Sequence, residues 1–324
     1  MKVASFFSGA GGLDLGFRNE GFDFVFANDN WKGCWRTFEK NHNLKINRKS
    51  IEQINPHEIP DVVGFVGGPP CQSWSLAGAM RGIDDPRGKL LYHYVRLIEA
   101  KKPLFFLAEN VPGMVCKTHN DEFSKFINTL NKIGYNISFK VLNASDFNVP
   151  QDRKRVFIIG FSEDIDKEFI FPKSSKNKVN LKEAIGDLDD PLPALDKNKA
   201  NNPKDLEIPN HEYMVGDFSS MYMSRNRVRS WEKQSFTIQA GGRHAPCHPQ
   251  ANPMIKIEKD KQIFDPNTPK PYRRLSVREC ARIQTFPDDF IFYYNNVSDG
   301  YKMVGNAVPV KLSQSIANRI KTYL

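Results

Sequence analysis

No stretch of this chain is long and apolar enough to cross a bilayer; its uninterrupted hydrophobic runs stop far short of the ~20 residues a spanning helix needs. A secretory leader is not expected either, because Met1-Lys2-Val3-Ala4-Ser5-Phe6-Phe7 gives way at once to Ser8, Gly9 and Asp14 rather than to a longer apolar core. Cysteine is scarce. The five thiols, at positions 34, 71, 116, 247 and 280, are odd in number, widely scattered and never in C-x-x-C spacing. That argues against a disulfide frame and a structural zinc site, and for a reducing cytoplasm. Cys247 and His248 are adjacent, a poor spacing for chelating one ion, so no metal is expected. Internal repeats are absent too. These absences lead to the expectation of a cytoplasmic protein without a membrane partner.

What the chain does have is length, basic charge and a change of texture. Its 324 residues suffice for a sizeable core and two domains. Lys and Arg number 46 against 37 Asp and Glu, a formal charge of +9, which suits a polyanionic partner without demanding one. Short apolar or β-branched runs at 2–7, 23–28, 62–67, 103–108, 136–142 and 155–161 alternate with amphipathic stretches at 31–41, 88–101 and 119–133. Such alternation predicts an α/β fold with a largely parallel sheet flanked by helices. From about residue 172 prolines and lysines punctuate a chain with few long apolar runs, which reads as a second, smaller, irregular domain. Helical periodicity returns at Val310 to Leu324, with Leu312, Ile316, Ile320 and Leu324 four residues apart, and this segment is expected to pack back onto the first domain.

Four strand ends carry candidate chemistry. After the first, Phe7-Ser8-Gly9-Ala10-Gly11-Gly12-Leu13 makes a glycine-rich turn into a helix, where backbone N–H groups can meet a ligand. The slot for the third glycine of a dinucleotide fingerprint is Asp14, and alone the turn is only a strand-to-helix connection. Asp29, 20 residues after Gly9 at the end of the next strand, can accept hydrogen bonds from ribose hydroxyls; together they imply a nucleoside-containing cofactor. The third run ends in Gly67-Gly68-Pro69-Pro70 and presents Cys71, a thiol held at the rim of the sheet by two stiff residues. Alone, such a cysteine reads more readily as a small buried thiol. Leu104 to Ala108 delivers Glu109 to the same edge, where an apolar wall raises proton affinity, although a lone glutamate there also serves as a cap or ion-pair partner. Arg153 and Arg155 alternate before the last strand and would share one face if that strand starts early.

In this order the pieces resemble the DNA cytosine-5 methyltransferases. The ordered motifs are Phe7 to Gly12, Gly68-Pro69-Pro70-Cys71-Gln72, Glu109-Asn110-Val111, Gln151-Asp152-Arg153-Lys154-Arg155, Arg274 to Pro287, and Val304-Gly305-Asn306-Ala307-Val308-Pro309, covering essentially the whole chain. Within the family the chain looks most like bacterial type II modification methylases that recognise GGCC, on the stretches Arg81 to Lys89, Met223 to Arg229 and Pro287 to Phe292. The resemblance implies a Rossmann-like catalytic domain, 1–175 with 293–324, and a target-recognition domain, 176–292. It implies S-adenosyl-L-methionine as methyl donor and double-stranded DNA as partner, with a monomer and no obligatory protein partner. Catalysis would fall to Cys71 as nucleophile, Glu109 at ring nitrogen 3 and the exocyclic amine, and Arg153 and Arg155 at the base carbonyl and adjoining phosphate. Carbon-5 of cytosine is too weak a nucleophile until a thiolate adds to carbon-6, and the base must be flipped out of the duplex to be reached. The cofactor would meet Phe7, Ser8, Gly9, Ala10, Gly11, Gly12, Leu13, Asp29, Asn30, Trp31, Ser50, Ile51, Pro70, Asn306 and Ala307. Two positions depart from the family pattern: the aromatic after the acid is delayed past Asn30 to Trp31, and Ser50 stands where an acid usually precedes Ile51. Modest cofactor affinity is the expectation.

For DNA reading, Arg225, Arg227 and Arg229 alternate and would project from one side of an extended segment, with Arg243 a further candidate. Outside such a family they would read as a solvated basic strand or as phosphate contacts. Met221 or Tyr222 could fill the gap left by the flipped base, and the segment 72–89 could close over DNA with Arg87 and Lys89 meeting phosphates. The rival readings are a methyltransferase acting on structured RNA, a thiol hydrolase, for which no histidine motif accompanies Cys71, and a catalytically inactive DNA-binding relative.

Overall fold

A computed structural model describes residues 1–70, 89–116, 120–165 and 167–324, so the expectations for Cys71, Arg87 and most of the 72–89 segment lie outside the described residues. The chain forms two compact units. The first comprises Met1–Asn143, Lys154–Ser174 and Leu312–Leu324; the second comprises Ala144–Arg153 and Ser175–Lys311.

Six strands make the sheet of the first unit: β1 (Lys2–Phe6), β2 (Asp23–Asn28), β3 (Gly64–Gly67), β4 (Phe105–Asn110), β5 (Tyr135–Asn143) and β6 (Lys154–Ser162). Their order is β2-β1-β3-β4-β6-β5. The first four run parallel, whereas β6 is antiparallel to both β4 and β5. Central strands β3 and β4 are almost wholly buried, which is why they read as continuous apolar runs rather than as alternation. One consequence of the topology matters most: the carboxyl ends of β1 to β4 and the amino start of β6 share one edge of the sheet.

Helices α1 (Gly12–Asn19), α2 (Lys32–His42), α3 (Lys89–Lys101) and α4 (Asn120–Lys132) flank that sheet. In α3, Leu91, Tyr94, Val95 and Ile98 recur at helical spacing and are all buried against the sheet. Phe6 of β1 is the hub of this core, with ring centroids 4.9 Å from Phe65 and 5.5 Å from Tyr94. The Tyr94 hydroxyl is satisfied by the Leu107 carbonyl at 3.0 Å, so a polar tip enters the core at little cost.

The second unit has little regular structure: α5 (Leu181–Ile185), a two-residue parallel pair β7 (Leu192–Pro193) and β8 (Glu212–Tyr213), a hairpin β9 (Ile255–Glu258) and β10 (Lys261–Ile263), and helices α6 (Val277–Ile283) and α7 (Val297–Asn306). Irregular chain leaves buried carbonyls without ladder partners, and arginine forks supply the missing donors. Arg278, fully buried, donates to the carbonyls of Pro209, Pro287 and Phe290. Arg274 donates to Gly216 and Asp217. Arg273 grips the buried Glu279 through two 2.8 Å bonds, and this partner outweighs burial to hold the carboxyl below its usual range. Residues 293–311, assigned by sequence to the catalytic part, group with this unit. The Tyr301 hydroxyl of α7 donates to Leu275 at 2.6 Å and accepts from the Met214 amide at 3.2 Å, which ties α7 there.

The last helix, α8 (Val310–Lys321), brings the chain back to the first unit, as its periodicity predicts. Ser313 donates to the Leu13 carbonyl of α1 at 2.6 Å. A Cβ on Gly16 would lie 2.5 Å from the Ser313 side chain, so glycine is what lets the two helices approach. No helix among the described residues is long and apolar enough to cross a membrane.

Candidate active site

The shared sheet edge gathers the candidate residues of the first unit. Gly67 pairs with Ala108, so the chain leaving β3 at Gly68 runs beside Glu109. A Cβ on Gly68 would stand 3.3 Å from Glu109 Oε2, so this glycine gives the carboxylate its room. Arg155, near the start of the antiparallel β6, places Nε 3.0 Å from Glu109 Oε1, and both side chains are mostly enclosed at 17% and 12% exposure. Arg155 Nη1 also donates to the Lys154 carbonyl at 2.7 Å, which fixes the plane of the guanidinium. Asn110 holds the turn ahead of Cys71: its Nδ2 donates to the Pro69 carbonyl at 3.2 Å while its Oδ1 accepts from the Val111 amide at 2.8 Å. Pro70 is half-buried and ends the described part of that turn.

Arg153 does not join this group. It belongs to the second unit, is 1% exposed, and spends Nη1 on the Ile238 carbonyl and Nη2 on the Gly305 carbonyl, both at 2.9 Å. The expectation that Arg153 and Arg155 share one face is therefore corrected. The strand starts at Lys154, one residue too late, and the backbone carbonyls of an irregular segment claim the earlier guanidinium.

The glycine turn after β1 is built for close approach. Phe7, Gly9 and Gly11 all have positive φ, at 53°, 55° and 88°, and a Cβ on Gly9 would meet nothing within 4 Å. A non-glycine residue in that region stores strain of about 1–3 kcal/mol, a cost found mostly where function needs the geometry. Ser8 is anchored by its amide to the Asn28 carbonyl at 3.1 Å and by its hydroxyl to Ser5 at 2.8 Å. Ala10 and Gly12 are buried, as is Leu13, and Gly11 begins α1 with no side-chain cap. Asp29 receives the Gly9 and Trp31 amides, one on each oxygen, at 2.8 Å, and so locks the turn to the end of β2. Trp31 is half-buried at the start of α2 and Asn30 is exposed. Ile51 is 2% exposed within the apolar core, and half-buried Ser50 caps a short 3₁₀ turn by pairing with Gln53. Asn306 and Ala307, at the end of α7, lie in the second unit, where Asn306 is exposed and the Ala307 carbonyl accepts from Gln284 at 3.2 Å.

Three side chains around the turn were missed by sequence reasoning. Asp14 is fully buried, and burial, only partly offset by Ser5 and Arg18, pushes its pKa up to about 7. His42 stacks on Phe38 and lies with Nε2 3.3 Å from the Ala10 carbonyl; burial and then Arg18 lower its pKa to about 4, so it is neutral and Nε2–H is the donor. It occupies the space a side chain at Gly11 would need. Asn110 is the third. The only available signal was a polar residue at the end of a buried segment, which does not say what it holds.

In the second unit the arginine row is not a row. Arg225 is exposed, Arg227 is 7% exposed, and Arg229 lies 4.2 Å over the Phe236 ring and 3.5 Å from Asp152. The 3₁₀ turn at Tyr222–Ser224 ends just before Arg225, whose backbone is extended, so burial and partners rather than the turn set the three arginines apart. Tyr222 is completely buried with its hydroxyl on the Ala245 carbonyl, so it cannot fill a gap in DNA, whereas Met221 is 68% exposed. Arg243 is exposed on a second 3₁₀ turn, and Lys89 is the first residue of α3.

A sheet of this order with a glycine turn after β1, an acid after β2 and a carboxylate–arginine pair on β4 and β6 is that of a Rossmann-like methyltransferase. The same fold occurs in an Entamoeba histolytica methyltransferase, EhMeth (TM-score 0.71, 18% identity, 100% of this chain and 97% of that one), and in a Spodoptera frugiperda DNMT2 variant (TM-score 0.68, 17% identity, 99% of each). The chain belongs to the C-5 cytosine-specific DNA methylase family, whose model matches residues 1–322. It is 70% identical to the type II methyltransferase M.MthTI of Methanothermobacter thermautotrophicus over 99% of this chain and 97% of the relative. It is 53% identical to M.FnuDI of Fusobacterium nucleatum, over 100% and 95%. The protein is thus a DNA cytosine-5 methyltransferase of the restriction–modification type.

Proposed function

We propose that this enzyme methylates a cytosine within GGCC on double-stranded DNA through a covalent Cys71 adduct, protecting the DNA from a partner endonuclease. The observation that carries the reading is the Glu109–Arg155 pair beside Gly68, three residues before Cys71. The Cys71 thiolate adds to carbon-6 of the everted base, forming a C–S bond and leaving carbon-5 enamine-like. Glu109 holds nitrogen 3 and the exocyclic amine, sharing the proton that balances the charge displaced onto the ring. Arg155, already fixed on Glu109 and the Lys154 carbonyl, reaches the base carbonyl. Once carbon-5 carries the methyl group, its proton leaves to a base, a water in this reading, and the C–S bond breaks to restore the ring and the thiolate. Arg153 acts at one remove, as a brace.

S-adenosyl-L-methionine fits the turn after β1, and when bound it supplies the methyl group. The open backbone at Gly9, the uncapped start of α1 and the Asp29 carboxylate at the end of β2 suit a carboxylate and a ribose. Asn306 and Ala307 are further proposed cofactor contacts, and target recognition falls to Arg225, Arg227 and Arg243, with Met221 filling the vacated stack. Lys89 and Arg87 serve phosphates. The scattered thiols support a reducing cytoplasm as its compartment, where it would work as a monomer. The test is protection: DNA from cells expressing the chain should resist a GGCC-cutting nuclease while remaining cleavable at other sites. Full cleavage at GGCC, with methyl groups incorporated elsewhere, would overturn the target assignment.

A further inference from the structure

Alternation in the sequence presents Arg227 as one of three equivalent arginines, yet in the second unit Tyr222 and its neighbour Met221 hold it along one edge and one face. Its Nε donates to the Tyr222 carbonyl at 2.7 Å and its Nη2 to the Met221 carbonyl at 2.9 Å. The guanidinium lies 4.7 Å from the centroid of the Tyr222 ring. Nε and Nη2 form the side edge of the fork. The end edge, Nη1 with the second hydrogen of Nη2, keeps its donors, and Nη1 makes no hydrogen bond among the described residues. An arginine edge offering two parallel N–H groups matches the O6 and N7 acceptors of guanine.

Tyr222 is in turn enclosed. It is completely buried, its ring packs 4.9 Å from Phe218, and Phe218 meets Phe264 edge-on. Its hydroxyl donates to the Ala245 carbonyl at 2.8 Å and lies 3.1 Å from Cys247 Sγ. The hydroxyl's single proton is spent on that carbonyl, so the thiol proton points to the hydroxyl oxygen. Burial raises the Cys247 thiol above its usual range, and both groups stay neutral beside the cationic Arg227 and Arg274. Arg274 closes the other side, 4.0 Å over Phe218 and 5.7 Å from the Tyr222 ring.

We propose that Tyr222 is the positioning residue that gives Arg227 its base discrimination, by fixing the side edge of the guanidinium through its carbonyl and its plane through its ring so that only the end edge is offered to a base pair. The inference rests on the reading of Arg227 as a base-reading residue. A free arginine loses much rotamer entropy on docking, whereas one already held does not, and a held edge also cannot swing to accommodate a wrong base.

The experiment compares kcat/KM on a duplex containing GGCC with kcat/KM on duplexes carrying one changed base pair. It uses the full chain and the variants Arg227→Ala, Tyr222→Leu, Tyr222→Met and Tyr222→Phe. Loss of folded enzyme lowers every duplex by the same factor, so the ratio reports positioning and not stability. Tyr222→Leu, or the longer, more adaptable Tyr222→Met if leucine does not fold, should lower discrimination five- to tenfold at the same base pair as Arg227→Ala. Tyr222→Phe, which keeps ring and carbonyl, should restore the parental ratio within about twofold. Parental discrimination in the ringless variants, alongside lost discrimination in Arg227→Ala, overturns the role of Tyr222. An Arg227→Ala enzyme weakened equally on all duplexes overturns base reading itself, and this proposal with it.

Discussion

An arginine can serve the fold or the substrate, and burial separates the two among side chains that look alike in sequence. Arg153 and Arg155 are two residues apart, yet the first is consumed by two carbonyls of an irregular unit and the second is paired with a carboxylate at an open sheet edge. The same holds for acids. Glu109 stands at the rim, while Asp14 is fully buried in the first turn of α1. Burial lifts the Asp14 pKa to about 7, above the ~3.9 of an unfolded chain. Folding then favours the protonated form, so this group's contribution to stability is fully present below pH ~4 and is lost as the pH climbs to about 7. Asp14→Asn removes that dependence. In urea melts its stability relative to the parent should rise between about pH 4.5 and 7, by up to ~1.4 kcal/mol per unit. Parallel stability curves for the two proteins over that range would contradict a raised Asp14.

At the scale of elements, the first unit depends on one close helix crossing. Gly16 of α1 faces Ser313 and the Gln314 amide of α8, where an added Cβ would come within 2.5 and 2.6 Å. Gly16→Ala should therefore cost about 1–3 kcal/mol, despite alanine's better helix propensity, because backbone must shift to admit the methyl group. A urea midpoint unchanged or raised in the variant would contradict the tight crossing. The elements of this unit were legible in the sequence because burial on both faces writes itself as short apolar runs; β2 spans Asp23–Asn28 as the pattern predicts, and α3 ends at Lys101 as predicted. The edge strand β5 was legible too, although Phe139 and Val141 stay exposed. The second unit was not readable in this way. Its chain is held by side chain-to-carbonyl bonds that follow no period, so the fates of Arg227, Tyr222 and Arg153 could not be read from alternation. Cys71, Glu109 and Asp29 were singled out because strand ends in a parallel sheet all open on one edge.

At the scale of the molecule, a regular sheet unit and an irregular arginine-braced unit divide the work in this reading. One presents a carboxylate–guanidinium pair at the carboxyl edge, and the other displays Met221, Arg225 and Arg243 on its surface. A formal charge of +9 favours a phosphate-rich substrate for both, and such binding weakens as salt rises. Charge alone does not make the reaction specific; a covalent bond to one base does. The most direct measurement uses a duplex whose GGCC cytosine is 5-fluorocytosine, incubated with S-adenosyl-L-methionine and either the parent chain or Cys71→Ser. Fluorine cannot leave as the proton does, so the parent should accumulate a denaturation-resistant protein–DNA adduct, dependent on the methyl donor, and the serine variant none. A serine variant that methylates ordinary GGCC duplexes at the parental rate, or a parent that turns over without ever trapping, would contradict the covalent mechanism.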